Sequence, residues 1–186
     1  MCSPYVLAFG TDNLSEAEIK GKRVLEVGSR NVNGSLREHV ESFHPAEYIG
    51  VDLELASGVD KKLNAEHLVK EFGEKSFDVV ISTEMLEHAV NWKAIISNMK
   101  QVLKPGGALL VTTRSQGFPF HEYPVDAWRF EVDDMKAIFA DMEDVKVEPD
   151  PFEPGVFVKA TKPKRFKEAD LSDFELYSVP KDARVK

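Results

Sequence analysis

Cysteine, long apolar runs and excess positive charge are scarce in this sequence, and each scarcity excludes a class of protein. The single cysteine, Cys2, cannot form an internal disulfide, and we interpret it as a surface residue without a catalytic role. No stretch approaches the roughly 18 apolar residues that cross a bilayer, and the N-terminus lacks a basic region followed by an apolar run. We therefore expect a soluble, cytoplasmic protein with no membrane partner.

The shortage of positive charge bears on the choice of partners. The 186 residues carry a formal net charge of −8, which does not favour nonspecific attraction to nucleic acid, so we do not expect a nucleic-acid partner. The hydrophobic content of 42% suffices for a core, and the length suits one domain. We predict one domain over residues 1–186, with a core at about 22–160 and a C-terminal arm at about 161–186 that either packs or stays flexible.

The stretch from Lys22 to Ser35 contains the first candidate site. Its residues predict a buried strand, a turn rich in Gly and Asn, and the start of a helix, which is how open α/β sheets hold a nucleotide-like cofactor. A dinucleotide site would use a Gly-x-Gly-x-x-Gly run, but Arg30 replaces its second glycine. Glu26 lies two residues before Gly28, and its carboxylate suits a ligand with a cationic group better than one with phosphates.

Periodicity and turn residues predict the other elements. Ser15 is the expected cap of a short helix, and an ambiguous edge strand lies within 58–63. A helix should run from about 91 to 103 and end at Pro105-Gly106-Gly107. Strands are predicted at 48–52, 77–82 and 108–113, a helical stripe at 135–142, and a closing hairpin from 145–147 and 156–158.

Asp52 is a second carboxylate at a predicted strand end. It lies near the position where α/β cofactor folds place an acid to accept both ribose hydroxyls, and Leu53 beyond it could face an adenine ring. The structural alternatives are a solvated strand-end carboxylate for Asp52 and a buried ion-pair partner for Glu26.

Four stretches in this order resemble the motifs of class I S-adenosylmethionine-dependent methyltransferases, and the resemblance covers roughly residues 22–160. They are Val24-Leu25-Glu26-Val27-Gly28, Gly50-Val51-Asp52, Phe77-Asp78-Val79-Val80-Ile81 and Leu103-Lys104-Pro105-Gly106-Gly107. The resemblance implies a Rossmann-like α/β fold with a mostly parallel seven-stranded sheet, an antiparallel last strand and helices on both faces. Asn31 and Asn33 stand where this family usually has glycines; because Asn tolerates positive φ, we expect the turn to survive.

The resemblance implies S-adenosylmethionine as the cofactor and assigns residues to it. Glu26 would face the methionine ammonium, directly or through water, and Gly28, with Ser29 beside it, would allow close approach of the backbone. Asp52 would accept the ribose hydroxyls. The remaining assigned contacts are Leu53 packing on adenine, Asn64 and Ala65 at the adenine edge, and Thr83 beside the methionyl part.

The string Glu84-x-x-Glu87-His88, with His121 downstream, suggests a metal site. On a helix, positions 84, 87 and 88 share a face, so two carboxylates and an imidazole could converge on Mg²⁺ or Mn²⁺. The pattern resembles metal-dependent members of the superfamily, including small-RNA 2′-O-methyltransferases and a quinone-biosynthesis O-methyltransferase. The alternative is that no metal binds and His88 caps or lines the cleft.

Residues 115–130 form a long loop without periodicity that is dense in aromatic and titratable side chains, which is typical of an active-site wall. His121 is a candidate general base, because an alcohol must lose its proton as it attacks the methyl group. Arg129 could hold a carboxylate or phosphate of the acceptor. The loop also contains Glu122, Tyr123, Asp126 and Trp128, and its aromatic residues could instead pack it onto the core.

The function that these features favour is methyl transfer from S-adenosylmethionine to a small-molecule or saccharide acceptor, at oxygen in preference to nitrogen, with His121, His88 and Arg129 as candidate catalytic residues. One alternative is metal-assisted methylation of RNA or of a phenol or catechol. Another is a noncatalytic methyltransferase-like binding subunit. The sequence leaves both a monomer and a homodimer open.

Overall fold

The computed structural model describes residues 3–121 and 125–186. Met1, Cys2, Glu122, Tyr123 and Pro124 lie outside this range, so the interpretation of Cys2 and the placing of Glu122 and Tyr123 in the acceptor loop stay predictions. The described chain forms ten strands, six α-helices and two short 3-10 helices.

In chain order, the strands are β1 (Arg23–Val27), β2 (Glu47–Asp52), β3 (Lys61–Lys62), β4 (Phe77–Thr83), β5 (Leu103–Arg114), β6 (Trp128–Arg129), β7 (Glu143–Pro149), β8 (Gly155–Thr161), β9 (Leu176–Ser178) and β10 (Ala183–Val185). The helices are α1 (Pro4–Asn13), α2 (Glu16–Ile19), α3 (Arg37–Ser42), α4 (Leu68–Phe72), α5 (Trp92–Val102) and α6 (Val132–Ile138), and the 3-10 helices cover Ala65–His67 and Leu86–His88. Within the described ranges, no helix combines the length and the hydropathy needed to span a membrane.

Seven strands form one sheet in the order β3-β2-β1-β4-β5-β8-β7. The first five of these strands are parallel to one another. Strand β8 is antiparallel to both of its neighbours, β5 and β7. The predicted seven-stranded, mostly parallel sheet with an antiparallel last strand is therefore confirmed. Strands β1, β2, β4 and β5 all end at one edge of this sheet, at Val27, Asp52, Thr83 and Arg114, and we call it the carboxyl edge.

Both faces of the sheet are covered by helices. Successive side chains of a strand face opposite sides, so Val24 and Val79 pack with buried residues of α1, α2 and α3. Leu25 and Val80 point the other way and pack with α4, α5 and α6. Burial on both sides explains why the central strands read as nearly continuous apolar runs in the sequence.

Helix α5 begins where the sequence predicts. The Asn91 side chain accepts a hydrogen bond from the backbone of the first turn, which makes it the N-terminal cap. The helix ends at Val102, within one residue of the prediction, but residues 105–107 do not form its end. They already belong to β5, which begins at Leu103 and not at the predicted position 108. The ammonium of the buried Lys162 donates hydrogen bonds to carbonyls at this helix end, at 2.6 and 2.7 Å.

Local signals elsewhere are confirmed as well. Ser15 and Glu18 form a capping box around α2, with the Glu18 carboxylate accepting from the Ser15 amide at 3.0 Å. The ambiguous segment at 58–63 contains the short edge strand β3, and β7 and β8 form the expected hairpin.

The C-terminal arm packs against the rest of the chain. Strands β9 and β10 join β6 in a second sheet of three strands, in the order β10-β9-β6. Leu176 is fully buried in the core, and the Phe174 ring lies 6.0 Å from the Trp92 ring. Because β6 belongs to the loop that follows β5, this arm is attached to the predicted acceptor wall.

Candidate active site

The turn after β1 brings backbone close to its neighbours at the carboxyl edge. Gly28 has a φ of 78°, and a Cβ atom there would lie 2.5 Å from the Met85 side chain, so glycine is required on both counts. The amides of Gly28 and Ser29 donate to the Val51 carbonyl at 2.9 and 3.1 Å. The Ser29 hydroxyl is buried and finds no hydrogen-bond partner among the described residues, so it is available to a ligand.

The two asparagines of this turn do not act as expected. Neither Asn31 nor Asn33 has a positive φ; the left-handed position is taken by Gly34, with a φ of 125°. The Asn31 side chain instead accepts a hydrogen bond from the Gly34 amide at 3.0 Å. The expectation that the asparagines replace glycines in a left-handed conformation is therefore wrong. The turn is instead closed by the hydrogen bond from the Gly34 amide to the Asn31 side chain.

Glu26 is a buried carboxylate with a neutral partner. Its side chain accepts a hydrogen bond from the Tyr48 hydroxyl at 2.7 Å, and only 2% of its surface is exposed. Burial raises the pKa of Glu26 to about 7, against the opposing effects of the Tyr48 hydrogen bond and the more distant Arg37. A cation bound beside Glu26 would restore the ionised form, so this position suits an ammonium group.

The other predicted cofactor residues follow β2 and β4 at the same edge. Asp52 is half-buried and accepts a hydrogen bond from the Arg30 amide at 3.2 Å, and Leu53 next to it is 51% exposed. Asn64 caps the following 3-10 helix by accepting from the Glu66 amide at 2.9 Å. Ala65 and Thr83 are buried, the latter as the last residue of β4.

Glu84 departs from the predicted metal set. Residues 84–88 are not an α-helix: Glu84 has a φ of 53°, and a 3-10 helix begins only at Leu86, so the expected shared helix face is wrong. The buried Glu84 carboxylate pairs with the Arg114 guanidinium and accepts from the Thr112 hydroxyl at 2.8 Å. Burial, and the nearby charge of Glu87, raise the pKa of Glu84, while the Arg114 guanidinium and the Thr112 hydrogen bond oppose this rise.

Glu87, His88 and His121 do come together, and one ligand atom from each lies within 4.8 Å of the others. Glu87 is fully buried; one carboxylate oxygen accepts from the Thr113 hydroxyl at 2.7 Å. The other oxygen, Oε1, lies 3.8 Å from Nε2 of both imidazoles and has no hydrogen-bond partner in the described chain. We call these three side chains the Glu87 cluster.

The two imidazoles of the Glu87 cluster are oriented by their other nitrogen atoms. His88 Nδ1 lies 2.5 Å from the Val125 carbonyl, which can only accept, so this nitrogen carries a proton. His121 Nδ1 lies 3.2 Å from the Pro119 carbonyl and 3.2 Å from the Asp126 carboxylate, which are also acceptors. In the neutral rings, Nε2 is therefore the unprotonated nitrogen, and a proton taken up there would face the Glu87 carboxylate.

Contacts within the cluster also shift the pKa of Glu87 and the pKa of His121. Burial opposes ionisation of Glu87, but His121, His88 and the Thr113 hydroxyl hold its pKa below the ordinary value. Glu87 in turn raises the pKa of His121, against the opposing effect of burial, and Asp126 contributes in the same direction. The cluster can thus accept a proton at an imidazole and retain the carboxylate charge.

Arg129 is not placed to receive an acceptor anion. It is 3% exposed, and its guanidinium forms a bidentate pair with the buried Asp126, at 2.5 and 2.7 Å. Three of these contacts were not predicted from the sequence. They are the pair of Asp126 with Arg129, the hydrogen bond from the Thr113 hydroxyl to Glu87, and the pair of Arg114 with Glu84. The spacing of Asp126 and Arg129 by three residues was the one available signal for an ion pair.

Comparison with known proteins is consistent with this geometry. The family described as "Methyltransferase domain" matches residues 4–141. The phthiotriol/phenolphthiotriol dimycocerosates methyltransferase 1 of Mycobacterium ulcerans is 32% identical over 124 residues, covering 60% of this chain and 45% of that protein. A ubiquinone biosynthesis O-methyltransferase of Pseudomonas syringae is 32% identical over 111 residues, covering 52% of this chain and 46% of that protein. The chain spans less than half of the length of these two relatives.

A solved structure extends the similarity to a larger share of the chain. The 1,6-didemethyltoxoflavin-N1-methyltransferase of Burkholderia thailandensis, solved with S-adenosylhomocysteine, superposes with a TM-score of 0.64 at 14% identity, covering 84% of this chain and 78% of that one. At this identity the likeness concerns the fold alone. With the family match over most of its length and the sheet order observed above, this chain belongs to the methyltransferase domain family, within the class I S-adenosylmethionine-dependent methyltransferases.

Proposed function

We propose that this chain transfers a methyl group from S-adenosylmethionine to an oxygen of a small-molecule or saccharide acceptor. The observation that carries the proposal is the composition of the carboxyl edge. The ends of β1 and β2 present Glu26 and Asp52, and the ends of β4 and β5 hold the proton-accepting Glu87 cluster. A cofactor site and a base on neighbouring strand ends are the two parts that methylation of an alcohol requires.

The residues of the first part fit the cofactor. The buried Glu26 carboxylate suits its ammonium group, and the orphaned Ser29 hydroxyl offers a polar contact beside the close backbone approach at Gly28. Asp52 would accept the ribose hydroxyls. When bound, S-adenosylmethionine supplies a methyl group on a sulfonium with a good leaving group. Contacts at the adenine and the methionyl part are assigned to Leu53, Asn64, Ala65 and Thr83.

The residues of the second part favour oxygen as the acceptor atom. An alcohol must lose a proton during attack, and His121 presents Nε2 with its lone pair while Nδ1 donates to Asp126 or Pro119. His88 presents Nε2 in the same way and would line the acceptor position. Arg129 is not included, because Asp126 already occupies its guanidinium. The oxygen acceptor named in the Pseudomonas relative supports the same choice.

Calorimetric binding of S-adenosylhomocysteine, followed by transfer of labelled methyl groups to an acceptor panel, tests the proposal. We expect binding, and turnover that falls at least about 100-fold in His121→Asn at saturating acceptor, within the range for loss of a general base. His44→Asn changes an exposed histidine outside the site and is the matched control.

The outcomes separate the alternatives. Absence of cofactor binding would overturn the proposal, and unchanged turnover in His121→Asn would remove the base assignment. Binding without turnover on any acceptor would favour the noncatalytic binding subunit.

A second candidate function, metal-assisted O-methylation of a phenol, catechol or RNA hydroxyl, is favoured by one observation. The Oε1 atom of Glu87 is buried without a hydrogen bond and faces two imidazole nitrogens, which are ligand types that bind divalent cations. Glu87, His88 and His121 would hold the ion, and the ion would lower the pKa of a bound hydroxyl. Glu84 is not proposed as a ligand because Arg114 pairs with it. The net charge of −8 favours the phenol or catechol over RNA.

Manganese binding, followed by electron paramagnetic resonance without acceptor, tests this candidate. We expect Glu87→Gln to abolish binding and Glu84→Gln, which changes the neighbouring carboxylate, to retain it. Full turnover after treatment with a chelator, together with no manganese signal, would reject the candidate and leave His121 as the base.

A further inference from the structure

Asp126 is a buried carboxylate at the centre of the acceptor loop, and the proposed function leaves open whether Asp126 or Pro119 orients His121. Only 2% of its surface is exposed. Its Oδ2 atom accepts from the His121 amide at 2.9 Å and from Arg129 Nη2 at 2.7 Å, and it lies 3.2 Å from His121 Nδ1. Its Oδ1 atom accepts from Arg129 Nη1 at 2.5 Å. Asp126 thus contacts both the backbone and the ring of one residue.

This contact decides which nitrogen of His121 is free. A carboxylate accepts and cannot donate, so Asp126, at 3.2 Å from Nδ1, favours the tautomer with the proton on Nδ1 and the lone pair on Nε2. Glu87 Oε1 favours the opposite tautomer, but it lies farther from the ring, at 3.8 Å from Nε2. The Phe118 and His88 rings lie edge-on to the His121 ring, at 4.8 and 4.9 Å, and limit its rotation. The ring is therefore held with Nε2 toward the Glu87 cluster.

Asp126 is itself held in place by backbone pairing. Arg129 lies in β6, opposite Tyr177 of β9. Ala127, the residue after Asp126, donates to the Glu87 carbonyl at 2.8 Å, and its own carbonyl accepts from the Val179 amide at 2.9 Å. These bonds fix Asp126 relative to Glu87 on one side and to the C-terminal arm on the other.

We propose that Asp126 is a positioning residue that sets the tautomer and orientation of His121, with Arg129 holding the carboxylate in place. The proposal rests on the proposed function in assigning His121 a role in the acceptor site. It holds equally whether Nε2 takes a proton or binds a metal, because both need the same lone pair. The Pro119 carbonyl, also 3.2 Å from Nδ1, is the competing explanation for the orientation.

Nitrogen-15 NMR of the histidine rings, recorded at a pH where His121 is neutral, tests the proposal without turnover. The His121 signals are assigned from their loss in His121→Asn. In the wild-type protein we expect one tautomer, with the proton on Nδ1; the opposite tautomer would overturn the proposal without any variant. Asp126→Leu/Arg129→Met removes both buried charges and fills their volume with apolar groups, which spares the fold an unpaired charge.

We expect the double variant to populate both tautomers and to lose about 10- to 100-fold in kcat, with the KM for the cofactor unchanged. Asp126→Asn keeps an acceptor oxygen and should keep the wild-type tautomer. The matched control is Asp134→Leu/Arg184→Met, which removes a second aspartate–arginine pair. In that pair Arg184 Nη2 lies 2.5 Å from Asp134 Oδ1. This control variant should leave the tautomer of His121 unchanged.

A single Nδ1-protonated tautomer in Asp126→Leu/Arg129→Met would show that Pro119 suffices, and would overturn the proposal. A tautomer change in a protein that methylates no acceptor would instead overturn the proposed function and retain the role of Asp126.

Discussion

Two buried carboxylates at strand ends, Glu26 near the end of β1 and Glu84 directly after β4, differ in their partners. Burial raises the pKa of Glu26 to about 7, and burial and the charge of Glu87 raise the pKa of Glu84 against the opposing charge of Arg114. Glu26 accepts from a neutral hydroxyl, that of Tyr48, whereas Glu84 pairs with the Arg114 guanidinium. A buried carboxylate whose partner is a neutral hydroxyl can still be stabilised by a cationic ligand. A carboxylate that pairs with a guanidinium already has a cationic partner. The first suits a cofactor site and the second a structural role.

The largest expected effect comes from removing the structural cation. Arg114→Met would leave Glu84 buried without its partner and also break the contacts of Arg114 with Asp150 and Glu153. We expect the free energy of unfolding to fall by about 3–5 kcal/mol in urea titrations. Glu84→Met/Arg114→Met should recover part of this loss; a loss below about 1 kcal/mol in the single variant would contradict the structural role.

Removing the other carboxylate should affect binding and spare the fold. Glu26→Gln keeps an acceptor for Tyr48 but removes the charge, so the affinity for S-adenosylhomocysteine should fall by about 10- to 100-fold, or about 1.4–2.7 kcal/mol. Glu47→Gln, an exposed position at the start of β2, is the calorimetric control. Equal affinity of Glu26→Gln and the wild-type protein would place the ammonium elsewhere.

The pH dependence should distinguish Glu26 further. Its pKa is raised to about 7 in the folded protein, so its contribution to stability is present below the ordinary carboxyl pKa and is lost as the pH rises through about 7. Binding of an ammonium group requires the ionised form and should have the opposite sign. We expect the Kd of S-adenosylhomocysteine to rise about tenfold per pH unit below about pH 7. This slope should be absent in Glu26→Gln; an equal slope in that variant would assign it to another group.

The smallest expected effect is that of the neutral partner. Tyr48→Phe removes the hydrogen bond that lowers the pKa of Glu26, so the pH midpoint of cofactor binding should move upward. We expect a loss of about 0.5–1.5 kcal/mol in binding free energy near the original midpoint and little change at high pH. A downward shift of the midpoint would show that Tyr48 does not stabilise the ionised carboxylate.

The two strand ends also differ in how far the sequence predicted them. Glu26 and Asp52 were placed at strand ends from local order, because a buried strand followed by a turn specifies its own geometry. Their roles toward the cofactor, and that of Gly28, come from the family resemblance and stay predictions. The second site was only partly predicted. Glu87, His88 and His121 converge as the spacing suggested, but Glu84 does not join them, and Arg129 turns inward to Asp126. Pairing of this kind depends on partners far along the chain, and no periodicity reports it.

The sequence by itself determined the strands of the seven-stranded sheet, the capped helices and the acidic residues at the strand ends, because alternation, capping residues and glycine turns act over a few neighbouring positions. The three-stranded sheet of β6, β9 and β10 was not predicted. Only the tertiary structure decided which carboxylate remains available to a ligand. Arg114 arrives beside Glu84 through the pairing of β4 with β5, and Asp126 is fixed through the pairing of β6 with β9. Burial raises the pKa of each carboxylate, and these distant partners oppose that rise to different extents.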